Sequence, residues 1–160
     1  MQFTQKESGI LKDLKEQEHV CVEKYNKYSC DAKDQQLKDL FTTIGQHEQQ
    51  HLNTVTQIMG GTVPTVPSGT GSSSGSQSKL TFTPTYQNTA NTDQNKASDS
   101  YVCADALSTE KHVSSVYNTG IFEFHDTKIR DTLNHIQREE QQHGEQIYQY
   151  MAQNGMYSTQ

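Results

Sequence analysis

The sequence is short of several things, and each shortage narrows the reading. Lysine and arginine number 13 against 19 aspartates and glutamates, leaving a net charge of −6. A nucleic-acid binder carries a basic patch or stripe; none is visible, so nucleic acid is not an expected partner. Cysteines are few (Cys21, Cys30 and Cys103), and no two are separated by two residues. A zinc ribbon or rubredoxin-like knuckle is therefore excluded, and the odd count argues against a closed disulfide framework. Reduced thiols, with Cys21 in the core, are expected. No apolar run approaches membrane-spanning length, and the opening MQFTQKESG has no hydrophobic signal region. The expectation is cytoplasmic synthesis without a signal peptide, and no membrane partner. Leu, Ile, Val and Phe supply only 28 of 160 residues, few enough to hint at disorder.

That deficit is partly local. Residues 60–100 hold all three prolines and half of the ten glycines among many Ser, Thr and Asn, which is linker chemistry. Within them the alternation Leu80-Thr81-Phe82 suits a strand fragment or a segment lying on a surface. The flanks read as helices. Leu11, Leu14, Glu18, Cys21, Tyr25 and Tyr28 step by three and four, behind a capping box at Thr4 and Glu7. Leu37, Phe41, Ile44, Glu48, His51, Val55 and Ile58 do the same, ending at Gly60-Gly61. A third stripe runs Cys103, Ala106, Glu110, Val113, Tyr117, Gly120, Phe124. The fourth runs Ile129, Leu133, Ile136, Glu140, His143, Ile147, Tyr150, with Asp126 as N-cap.

The halves repeat. Shifted by 92, residues 11–59 fall on 103–151 without a gap, and 13 positions are identical, Glu18/Glu110, Tyr25/Tyr117, Glu48/Glu140 and His51/His143 among them. Chance gives about three at ordinary residue frequencies. A helical hairpin of about 4–59 is thus duplicated at about 101–153, with turns near 31–34 and 124–127. Two antiparallel hairpins packed together make the second and third helices parallel, so their connection has to run the length of the bundle. The predicted fold is all-α: one domain, 1–160, a ferritin-like antiparallel four-helix bundle whose crossover linker is 60–100.

HEQQH, residues 47–51, fits the zinc-protease pattern H-E-x-x-H. The second repeat reads EEQQH, with Glu139 in place of His47, so the shared element is only Glu-x-x-His. A third zinc ligand and a cleft are also wanting, which sets the protease reading aside. His47 is expected to lie off the seam, and it, His19, His112, His125 and His135 are expected to be solvated.

Charged residues rarely sit on a core seam, yet Glu18, Glu48, Glu110 and Glu140 do, with His51 and His143. Unpaired buried carboxylates cost several kcal/mol each, to order of magnitude. Either protons or cations have to lie between them. One Glu from each of two helices and a Glu-x-x-His from each of the other two is the ligand set of carboxylate-bridged dinuclear bundles. The six residues are read as metal ligands for two iron or manganese ions, with zinc as a substitute. Tyr25 and Tyr117, two turns beyond Glu18 and Glu110, are read as hydrogen-bonding to the ligand carboxylates.

The ligand pattern resembles the ferritin and rubrerythrin superfamily, in which E-x6-Y matches EHVCVEKY (18–25) and EKHVSSVY (110–117). More closely, residues 103–151 resemble the spore coat protein F family through the run CADALSTEKHVSSVYNTGIFEF and the acidic E-x-x-H helix. The resemblance implies a coat-associated protein deposited on the spore, with other spore coat proteins as partners; a homodimer is a separate expectation. Two departures matter. The extra carboxylate that rubrerythrins place one turn from the odd-helix Glu is missing, since Leu107, Val113 and Ser114 flank Glu110. Their rubredoxin-type cysteine cluster is missing too, so electrons would need an external donor. Two functions compete: a redox enzyme acting on peroxide or dioxygen (an oxidase, peroxidase or catalase), and a non-catalytic coat component whose metals only stabilise the bundle.

Overall fold

The computed structural model describes residues 2–65, 80–86 and 93–157. Within them lie four long helices and no strand: α1 (Gln5–Asp31), α2 (Gln35–Met59), α3 (Gln94–Ile121) and α4 (Thr127–Gln153). Each is 25 to 28 residues, about 40 Å of rise. Every N-terminus is capped by a side-chain oxygen. Thr4 and Glu7 form the reciprocal capping box on α1, while Asp34, Asp93 and Asp126 accept from the first free amides of α2, α3 and α4. α2 stops at Gly60, and Gly61 takes the left-handed turn at φ 86°.

Helix α1 packs on α2 and α3, and α4 packs on α3 and α2. The directions follow from side-chain pairs. Tyr25 reaches Glu110 while Tyr117 reaches Glu18, so α1 and α3 are antiparallel. His47 meets His143 while His51 meets Glu139, so α2 and α4 are antiparallel as well. The three-residue turn 32–34 reverses α1 into α2. The second and third helices therefore run parallel, and the connection between them has to travel from one end of the helices to the other. Of the expected linker 60–100, residues 66–79 and 87–92 lie outside the described residues. The sequence-based start of the third helix is corrected, from about 101 to Gln94.

The four stripes bury as expected, apart from half-buried Tyr28. Two apolar clusters fill the ends, one around Phe41, Ile44, Cys103, Ile147 and Tyr150, the other around Leu14, Cys21, Ile58, Tyr117, Phe124 and Leu133. Cys21 and Cys103 are buried free thiols, and Cys30 is exposed. The segment Leu80–Tyr86 forms no strand. Phe82 sets its edge on the Tyr150 ring instead, and Gln36 and Asn154 bond its backbone at Thr83, Thr85 and Tyr86.

Candidate metal centre

Between the two apolar clusters lies a polar centre. The seams of α1 and α3 each bring one glutamate, Glu18 and Glu110. Those of α2 and α4 each bring a Glu-x-x-His, Glu48/His51 and Glu140/His143. The spacing of three puts each pair on one helix face, one above the other. All six residues are buried, with at most 2% of any exposed to solvent.

They gather into two overlapping sets. One is Glu18, Glu48, His51 and Glu140; the other is Glu110, Glu140, His143 and Glu48. In each set every residue offers a ligand atom within 4.8 Å of the others. Glu48 and Glu140 belong to both. The arrangement obeys the 92-residue shift. His51 Nδ1 lies 3.1 Å from Glu140 and 3.8 Å from Glu18; His143 Nδ1 lies 2.8 Å from Glu48 and 3.6 Å from Glu110.

Hydrogen bonds do not satisfy this centre. Both oxygens of Glu48 and of Glu140, one of Glu18 and one of Glu110, and Nδ1 of both histidines are buried without a hydrogen-bond partner. Histidine and carboxylate approach within ion-pair distance, but they are not aligned on one another as donor and acceptor. Native proteins leave few buried polar atoms unsatisfied, and eight in one place call for an ion or for protons. Oxygen and imidazole donors, four to a set with two shared, fit a pair of iron or manganese ions.

Without cations the chain has to borrow protons. Burial, then repulsion from Glu140, pushes the Glu18 carboxyl well above its usual range. Burial does the same to Glu110; His143 opposes it, and Glu140 and Glu48 add to it. Burial alone would depress His51, but its bond to Glu139 and the nearby carboxylates of Glu140 and Glu48 outweigh that and leave it well above the usual imidazole value. His143 is raised in the same way, by Glu110, Glu140 and Glu48 against burial. The metal-free centre thus offsets its carboxylates with protons at positions a metal ion would compete for.

Tyr25 and Tyr117 sit one turn pair from the centre, and both are fully enclosed. Each donates to the glutamate of the opposite hairpin: Tyr25 Oη to Glu110 and Tyr117 Oη to Glu18. Burial, and then the facing carboxylates, hold both phenols well above their ordinary value, so they remain donors. Both tyrosines thus bond to carboxylates of the centre, as expected, and each partner lies across the α1–α3 interface.

Two histidines expected in solvent are not there. His47 is half-buried and stacks on His143, ring centroids 5.4 Å apart, with its Nδ1 3.2 Å from His143 Nε2. His135 is half-buried, 3.5 Å from Glu139. His19, His112 and His125 are exposed, as expected. His51 in turn is partnered by Glu139, which accepts from its Nε2 at 2.9 Å. Residues 47 and 139 are equivalents under the repeat. A search for identical residues passes over them, whereas a search for equivalent positions that both carry hydrogen-bonding groups finds them.

No helix among the described residues is long and apolar enough to cross a membrane. No curated protein and no solved structure gives a significant match to the chain. Residues 98–160, which span nearly all of α3 and the whole of α4, match the family model of the Coat F domain.

Proposed function

We propose that the chain is a spore coat-associated, ferritin-like protein that holds two iron or manganese ions between its hairpins and acts on peroxide or dioxygen. The Coat F match over residues 98–160 supports the coat association, with other coat proteins as partners. The observation that carries the metal reading is the set of eight buried, unpartnered ligand atoms from six duplicated residues.

Glu18, Glu48, His51 and Glu140 would hold one ion, and Glu110, Glu140, His143 and Glu48 the other, with zinc as a substitute. Such a pair supplies one-electron redox chemistry toward peroxide or dioxygen. The chain's own part is to position and to exclude. Tyr117 and Tyr25 fix the orientation of the outer glutamates through one oxygen each, leaving the second oxygen facing inward. The apolar clusters on either side keep bulk water out. Disproportionation of peroxide to water and dioxygen balances without a further reductant; peroxidase action would need an external donor.

The near-complete burial of all six side chains favours a second reading, in which the ions only staple the bundle. One experiment separates the two. Purified protein is loaded with Fe(II) or Mn(II), its metal content is counted, and peroxide is added while dioxygen release is followed. Two ions per chain with turnover is the expected result. Two ions, a large rise in melting temperature and no turnover leave the staple alone, and no metal uptake sinks both.

A further inference from the structure

We propose that the two metal positions are unequal: the one built on Glu18 and His51 fills first, because Glu139 backs His51, whereas only His47 backs His143. This rests on the dinuclear reading above and deepens it.

The groups that touch the centre are duplicated almost completely. Glu18 answers Glu110, Glu48 answers Glu140, His51 answers His143, and Tyr25 answers Tyr117. With these alone the two positions would be equivalent. Cys21, in place of Val113, also differs on the seam, but it belongs to neither ligand set. The polar partners of the imidazoles break the symmetry. Each ligand histidine turns Nδ1 inward and Nε2 outward. His51 Nε2 meets a carboxylate oxygen of Glu139 at 2.9 Å, and His143 Nε2 meets Nδ1 of His47 at 3.2 Å.

The difference has a direction. A carboxylate that accepts the outer N–H makes an imidazole more electron-rich and a better ligand, and it fixes the tautomer and the ring angle. A neutral imidazole does the second but little of the first. Glu139 also brings a full negative charge to one side of the centre, where His47 brings none. His135 Nε2 approaches the same Glu139 oxygen at 3.5 Å. Removing an outer partner of this kind typically weakens metal binding about 10- to 100-fold.

The test is a titration of the metal-free full chain with Mn(II), with free ion read by electron paramagnetic resonance and folding checked by circular dichroism. Wild type should take up two ions in two steps, separated by about 10-fold or more in affinity. Glu139→Gln should weaken the tight step and draw the two together from above. His47→Glu, which gives the first repeat the residue of the second, should tighten the weak step and draw them together from below. Opposite routes to the same symmetry would not arise from general damage to the fold. Two ions bound with one affinity in wild type, or a separation that neither substitution changes, would overturn the inequality and leave the dinuclear reading standing. No Mn(II) bound by wild type would overturn both.

Discussion

Two buried acidic clusters lie along the same bundle, and they are built on opposite plans. At the end where α1 turns into α2, Asp99 accepts from the backbone of Lys33 and Asp34 and from the hydroxyl of Tyr86. Asp34 caps α2 and accepts from Thr85 and Tyr150. Asn154 receives two amides of the returning segment and donates to the Tyr150 carbonyl. Every carboxylate oxygen there has a donor, and together they tie residues 83–86, the first turn and the last helix into one joint. At the centre, four glutamates and two histidines leave eight atoms without partners. Burial of carboxylate is therefore not itself a sign of a site. Oxygens that meet donors are architecture, and oxygens that face one another require something between them.

The strongest way to sharpen the contrast is to fill the centre. Addition of Mn(II) or Fe(II) at about a thousandfold excess over Kd should stabilise the chain by about 4 kcal/mol for each ion bound. Glu48→Gln or Glu140→Gln, each removing a shared ligand, should abolish that gain for both ions, and thermal melts with and without metal would show it. In the metal-free chain the sign should reverse. Replacing Glu48 and Glu140 together by Met exchanges buried charge for apolar volume, and such exchanges are often neutral or stabilising by about 1–4 kcal/mol. If the double variant instead lost several kcal/mol without metal, the centre would be a structural network like the far end.

Asp99→Leu attacks the other pole. It strands at least the buried Asp34 amide, at about 1–3 kcal/mol. The loss should be independent of metal and visible as a lower urea midpoint; a variant with unchanged midpoint would remove the architectural reading of this cluster. Tyr117→Phe falls between the poles. It takes a donor from Glu18 in an otherwise closed site, for a cost of about 1 kcal/mol without metal. It should also loosen metal binding, by freeing the carboxylate's orientation. A melt without metal and a Mn(II) titration on the same variant would separate those two effects.

Much of this was legible beforehand. The Thr4 and Asp126 caps were visible as residue types, and the stripes, the repeat and the gathering of six polar residues follow from positions three and four apart, because α-helices fix which residues share a face. What escaped the sequence has two causes. The first turns of α3 were read as linker because Gln94 to Ser100 offers little apolar periodicity. Yet Asp99 stands four residues before Cys103, on the same stripe, and the position is filled by a carboxylate whose donors come from elsewhere in the chain. His47 reads as solvated from the sequence because the repeat gives it no identical partner. Its partner comes from α4, and only the packing of the two hairpins reveals that positions 47 and 139 do the same job with different groups.

The smallest effect tests the periphery, where hydrogen bonding is complete but solvent is near. Thr4 Oγ1 accepts from the Glu7 amide at 3.1 Å, and the Glu7 carboxylate accepts from the Thr4 amide at 2.9 Å and, more weakly, from His125 N–H in the α3–α4 turn. The Thr4 amide bond, against the cost of burial, holds the Glu7 carboxyl below its usual range. A carboxyl lowered on folding contributes stability that is present above its unfolded pKa and lost as pH falls through the folded one. Thr4→Ala should therefore cost about 1 kcal/mol at neutral pH through the lost cap. Glu7→Gln keeps a capping side chain but removes the charge, so it should flatten the acid limb of the stability curve while changing neutral stability less. Equal acid limbs for Glu7→Gln and wild type would mean that the box works through geometry alone.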